Sequence, residues 1–330
     1  MPERSRDGEW FSLNHSRTVA YIPRVSPRGR VCLPFALGAL IAPLALPAQL
    51  MVSRNVMPLS RDDSAAIGFL PKIDFYGEAQ RGFGSAADEL AWVVKIGGVL
   101  ELYRWSRRAS LMALVGHELT ANPFNSIGFN PRGAIWEEML LVVQHASAFD
   151  WYVGAFHRCR HEIDNSHPPD ESDIDPSYVA TARLLSLTGV HAGLTSREFS
   201  LGSSATLRGF WRGERYATTT DNRTPRNTAS PYWKRALGST GAGARIARPL
   251  GSQRELFARG WASLMLFSRG PGRSGVHGAA SWRSEVGFRA AGRGGIVDLF
   301  AAYERTFDDV TRPTPQRSGV GGVGLRFGAQ

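Results

Sequence analysis

The chain has 330 residues, 43% of them hydrophobic and 21% charged, and carries a formal net charge of +10. The basicity is nearly all arginine, with Lys72, Lys95 and Lys234 the only lysines, and the arginines are spread along the chain, which excludes the gathered patch of a nucleic-acid-binding surface. Two cysteines, Cys32 and Cys159, exclude a disulfide framework.

The first feature in chain order is a leader. Arg24, Arg28 and Arg30 precede an apolar run from Val31 to Ala48, the charged region, apolar region and small-residue end of a secretory signal. Pro34, Pro43 and Pro47 oppose a stable spanning helix there. The expectation is a signal peptide over 1–48, cleaved after Ala48, then an N-terminal periplasmic segment over 49–70 and one domain over 71–330. Cys32 falls in the leader, so the exported chain keeps Cys159 alone. Beyond the leader no apolar stretch approaches the roughly 20 residues of a membrane helix. A membrane-embedded protein with this sequence must therefore be a closed barrel, in which every backbone group is paired between strands.

From residue 71 onward the chain breaks into segments of alternating polarity at 71–82, 89–105, 109–121, 133–146, 149–164, 177–192, 196–214, 231–249, 253–268, 275–290, 294–308 and 316–328. In the seventh, Phe199, Leu201, Ala205, Leu207 and Trp211 are apolar while Glu198, Ser200, Ser204, Thr206, Arg208 and Arg212 are polar. A period of two over about ten residues, repeated between turn signals, predicts an antiparallel transmembrane β-barrel of about twelve strands. The connections alternate in length as well. Short ones fall near 105–108, 146–148, 193–196, 250–253 and 292–294, longer ones at 121–132, 165–176, 217–231, 269–274 and 309–315. Short periplasmic turns and longer outer loops have this rhythm. The last segment, GVGGVGLRFGAQ, carries Phe327 near its end. It resembles the terminal strand signal read by the barrel-assembly machinery of Gram-negative outer-membrane proteins, which implies outer-membrane residence among lipids and lipopolysaccharide.

The stretch richest in chemistry is FDWYVGAFHRCRHEIDNS, Phe149 to Ser166. On a strand, His157, Cys159 and His161 share one face and Arg158, Arg160 and Glu162 the other. Charge on a lipid-facing wall costs roughly 2–4 kcal/mol at mid-bilayer, so Arg158, Arg160 and Glu162 are expected inside, in a ladder with Glu118, Glu138 and Arg208. Such ladders fill and stiffen small barrels. Trp151, Val153 and Ala155 then face lipid, and His157, Cys159 and His161 continue that face to the outer rim, with His117 and Glu137 beside them.

The spacing His157-Arg158-Cys159 resembles the His-x-Ser pair of outer-membrane phospholipase A and the lipid A deacylases, with cysteine in place of serine. The resemblance implies lipid ester hydrolysis, with His157 as base, Cys159 as nucleophile, and Glu137 or Asn165 orienting the histidine. The plainer reading makes Cys159 a small apolar filler. A metal set of His117, His157 and His161 needs help from a third strand, because His-x₃-His on a strand spans about 13 Å. In the loop DNSHPPDESDID, Asp164, Asp170, Asp173 and Asp175 offer oxygen ligands suited to Ca²⁺ or to divalent bridges to lipopolysaccharide; otherwise it is a solvated acidic loop. No other cofactor is implied. Trp92, Trp105, Trp136, Trp151, Trp211 and Trp282 read as membrane-interface anchors. Three functions stay open: a structural or narrow-channel barrel with a charged, largely filled lumen, a lipid-acting hydrolase, and a barrel binding ligands or surfaces through its loops.

Overall fold

The alternating segments fold as the strands of one antiparallel sheet. The computed structural model describes residues 66–84, 90–123, 126–162, 183–223, 232–269, 274–307 and 318–328. The strands are β1 (Gly68–Phe83), β2 (Trp92–Ser106), β3 (Ala109–Asn122), β4 (Asn130–His145), β5 (Phe149–Glu162), β6 (Arg183–Ser196), β7 (Phe199–Leu201), β8 (Ala205–Arg223), β9 (Ala236–Pro249), β10 (Arg254–Ser268), β11 (Val276–Gly292), β12 (Gly295–Thr306) and β13 (Ser318–Gly328). Neighbours along the sheet run β6-β5-β4-β3-β2-β1-β13-β12-β11-β10-β9-β8, with β7 appended, and β6 pairs with β8 to close the ring. The result is a closed twelve-strand barrel with one short extra strand, as the sequence predicts.

The connections at 107–108, 146–148, 250–253 and 293–294 lie at one end, the turn end, together with the start of β1 and the finish of β13. The opposite end, the loop end, carries the connections at 84–91, 123–129, 163–182, 224–235, 269–275 and 307–317. The signal region and Cys32 lie outside the described residues.

One part of the strand reading is displaced. Residues 193–196, read as a turn, finish β6, and the segment 196–214 contains a hairpin in which β7 pairs with the start of β8 as Phe199↔Leu207 and Leu201↔Ala205. The connecting turn, 202–204, takes three residues, with Gly202 at φ 67°. An odd-numbered turn between paired odd-numbered residues leaves the alternation unbroken, so the sequence shows one strand where two fold back on each other. β8 accordingly continues through 217–223, which the sequence reading gave to a loop.

Directly paired residues share a face of the sheet. The outer face is apolar, with Ile73, Phe75, Val153, Val190, Leu299 and Leu325 all exposed. An apolar band on the outside of a closed sheet makes this a transmembrane barrel. Tyr103 and Trp105 stack near the turn end, ring centroids 6.5 Å apart, and Trp282 and Tyr303 meet at 5.2 Å toward the loop end.

Register is held by a recurring lock. Tyr76 pairs with Gly97, Tyr152 with Gly193, Phe210 with Gly243, Phe257 with Gly287 and Phe300 with Gly324. In each case the aromatic ring lies where a side chain on the glycine would stand. The ring covers the bare backbone and the glycine admits the ring, the aromatic rescue of a strand glycine.

Candidate functional site

The inner face of β5 is built around Arg158, which has no exposed surface. Its Nη2 donates to Glu137 Oε1 at 2.5 Å and to Glu214 Oε1 at 3.0 Å, and its guanidinium lies 5.0 Å from the Phe156 ring centroid. Tyr216 Oη and Ser239 Oγ donate to Glu214 Oε2 at 3.1 and 3.0 Å. Glu214 is thus satisfied by more than the arginine, as a buried carboxylate requires, while Glu137 is held by Arg158 through both Nε and Nη2.

This corrects the expected ladder. Glu138, placed inside by the sequence reading, is exposed on the outer face, while Glu137, placed outside beside His157, is 5% exposed within. Glu118 faces inward but pairs with Lys95, at 3.0 Å, and not with Arg158. Arg160 is buried on the inner face. Glu162 closes β5 opposite Gly133. Arg208 lies toward the turn end, in register with Arg245 on β9, well separated along the barrel from Arg158.

A second ionic group occupies the inner faces of the strands on the other side of the ring. Arg283 reaches Glu285 at 2.6 Å, Glu304 at 3.0 Å and Glu78 at 3.4 Å. Arg326 reaches Glu78 at 2.7 Å, Glu285 at 3.1 Å and Asp298 at 3.2 Å. Arg259 joins Glu285 at 2.5 Å, and Lys95 carries the chain of charges from Glu78 to Glu118. The pairs cross-link β10, β11, β12, β13, β1, β2 and β3 from within.

Between these groups the inner face is apolar. Met112, Leu141, Phe156, Leu187, Tyr216 and Met265 are buried members of one contiguous cluster. The cluster ends at the loop end in Trp233, Phe267 and Phe307. Trp233, in the 3-10 turn Tyr232–Arg235, is wholly buried, its ring 5.5 Å from Phe267 and 5.4 Å from Phe307. Its backbone N–H donates to Asp221 Oδ2 at 3.3 Å.

The outer face toward the loop end holds the other set of polar residues. Glu138, His157 and Thr188 stand in one register row on β4, β5 and β6, and Trp136, Cys159 and Ser186 in the next. His157 Nδ1 lies 2.8 Å from Thr188 Oγ1, and Trp136 Nε1 donates to Glu138 Oε1 at 2.6 Å. His117 meets the Trp136 ring edge-on at 5.5 Å. Cys159 is a half-buried free thiol. The imidazole therefore engages a threonine hydroxyl on the neighbouring strand. Glu137 lies on the other side of the wall, so it does not orient His157. Asn165, Asp164, Asp170, Asp173 and Asp175 lie outside the described residues. Among the described residues no group of three His, Cys, Asp or Glu is gathered as a metal site, so His117, His157 and His161 do not converge.

No family model matches the chain, and no curated protein matches its sequence. Among solved structures the fold is similar to the translocator domain of autotransporter NalP from Neisseria meningitidis, with 11% identity over 81% of this chain and 90% of that one and a TM-score of 0.35. It is similar also to outer membrane phospholipase A from Escherichia coli, with 12% identity over 78% and 93% and a TM-score of 0.42. A third is LpxR from Salmonella typhimurium, with 7% identity over 77% and 99% and a TM-score of 0.41. Each is a likeness of architecture alone.

Sequence reasoning missed Glu214 as the second partner of Arg158, because its strand was read as ending there. It also missed Trp233. The reading placed Trp233 at the start of the segment 231–249, whereas β9 begins at Ala236 and the tryptophan belongs to the 3-10 turn before it.

Proposed function

We propose that the chain is an integral barrel of the Gram-negative outer membrane with an interior closed to solute flow. The leader at 1–48 directs its export, the turn end stands in the periplasm, and the loop end faces outward among lipopolysaccharide. The observation that carries the closed interior is Trp233, with no exposed surface, seated on Phe267 and Phe307 and continuous with the apolar cluster below it. A water-filled passage is lined by polar groups, and in a ring of twelve strands the lumen is narrow enough for side chains to occupy. Here buried ion pairs and apolar packing share that space. The role that fits is structural, with the outer wall and loops as the working surfaces.

Planar-bilayer recording of the refolded protein tests this. The expected result is no stable conductance from the wild type. Regular single-channel steps would make the barrel a channel.

A second reading rests on the row Glu138, His157 and Thr188 facing the outer leaflet. A carboxylate, an imidazole and a hydroxyl on adjacent strands, with Cys159 close by, supply the types of group that ester hydrolysis employs. In this reading His157 is the base and either Thr188 or Cys159 the nucleophile. Release of fatty acid from phospholipid or lipid A vesicles, abolished by His157→Ala, would support it. Absence of turnover with and without Ca²⁺ would remove it.

A further inference from the structure

The inner wall of β8, β9 and β10 carries a feature that the closed-barrel reading does not use. Arg208 pairs in register with Arg245, and Arg245 with Arg259. Three guanidinium groups therefore stand side by side on one face of three adjacent strands, where like charges repel. The side chains of Arg245 and Arg259 retain 18% and 17% exposure.

The carboxylates nearby do not neutralise the row. Glu255 contacts Arg245 and lies 3.4 Å from Arg289 as well. Glu285 binds Arg259 but also Arg283 and Arg326. Arg208 contacts no carboxylate among the described residues; Glu198 and Asp150 act on it only through space, beside the like charges of Arg197 and Arg245. Arg208 Nε and Arg259 Nη2 are buried without a hydrogen-bond partner. A buried N–H on a cationic group is costly to leave unmade.

The surroundings are shaped for a guest. Arg245 lies against the Phe257 ring and Arg259 against Trp261, at 5.2 and 5.5 Å, which fixes the guanidinium planes, and Arg259 turns its Nε to Glu285 and leaves Nη2 unmet. The next two positions of β9 facing the lumen are Gly243 and Gly241, and the Phe210 ring lies over Gly243, so no side chain of β9 itself projects beside the row on that side. A cavity of about 20 Å³, lined by Arg212, Ser239, Gly241 and Ser263 among others, lies just beyond. That is room for one water.

We propose that this wall binds a small oxyanion of the phosphate class, held between Arg208 and Arg259 over Arg245, with the cavity taking a water that bridges to it. Guanidinium forks match the oxygen geometry of such an anion, which would occupy the unmet donors and relieve the repulsion within the row. The site faces the lumen, so a free anion or a small phosphorylated solute reaches it and a membrane lipid does not.

The test uses the refolded full chain in detergent micelles, with binding of inorganic phosphate followed through the arginine Nε–H resonances. Saturable binding of one anion per barrel is expected, with chloride at the same ionic strength failing to reproduce it. Arg208→Gln is expected to weaken it about tenfold or more, while Arg215→Gln, on the outer face of the same strand, leaves it unchanged. If Arg208→Gln fails to fold, Arg208→Lys, which keeps the charge and loses the fork, is expected to weaken binding about threefold. Glycerol 3-phosphate distinguishes the sources: tighter binding than phosphate assigns the site to a phosphorylated solute, equal binding to the bare group. No saturation in the wild type, an equal response to chloride, unchanged binding in Arg208→Lys, or equal losses in the Arg208 and Arg215 glutamine variants would overturn the assignment.

Discussion

Glu137 and Glu138 are neighbours in sequence and stand on opposite sides of one wall, the first bound to Arg158 inside the barrel, the second to the Trp136 indole outside. Their substitutions should therefore diverge. Glu137→Ala leaves the Arg158 charge buried with a single carboxylate and is expected to cost about 3–5 kcal/mol of folding stability. Glu138→Ala, on an exposed position, should stay within about 0.5 kcal/mol. Urea titration of the heat-modifiable gel shift checks both, and equal effects would contradict the assigned faces.

The facing of Cys159, the lone cysteine among the described residues, is testable by thiol labelling of a chain that begins at residue 49 and so lacks Cys32. In liposomes a lipid-soluble maleimide should label it faster than a membrane-impermeant charged one. Labelling by the charged reagent alone, admitted through the lumen, would place the thiol on the inner face and remove the outer-wall reading of His157 and Cys159 together.

Gly193 lies beneath the Tyr152 ring. Gly193→Ala forces that ring off its seat and is expected to cost about 1–3 kcal/mol. Gly292→Ala, with open space around it, should cost almost nothing beyond the turn's own preference. Equal midpoints for the two variants would show that the ring packs elsewhere.

Trp233 is expected to matter for stability as much as for closure. Trp233→Ala opens a cavity against Phe267 and Phe307 and should cost about 3–5 kcal/mol with the strand content unchanged. A bilayer recording of the same variant should show intermittent conductance that the wild type lacks. A silent, fully stable variant would mean that the tryptophan seals nothing.

The barrel class, the twelve full strands and their short and long connections were legible because each rests on a period of two interrupted by turn residues. Two readings failed for physical reasons. The hairpin of β7 and β8 keeps its alternation through a three-residue turn, so no pattern marks the fold-back. The parity of β4 is hidden because Met139, Leu140, Leu141, Val142 and Val143 are apolar on both faces, one lining the inner cluster and the other meeting lipid. With no polar side to point inward, the sequence gives no means of choosing between Glu137 and Glu138. The row of Arg208, Arg245 and Arg259 was hidden differently, since it exists only once three distant segments are brought into register.

The aromatic and glycine pairs have a consequence for how the chain assembles. All five inward pairs join strands connected at the loop end, so each hairpin carries its own check on alignment before its neighbours arrive. The seam between β1 and β13, which is made only when the ring shuts, uses the same device turned outward, with Phe327 lying on Gly77. A closure slipped by one residue would leave that ring facing the wrong side of the wall. The penultimate residue of β13 is thus a proofreading device as well as a piece of wall.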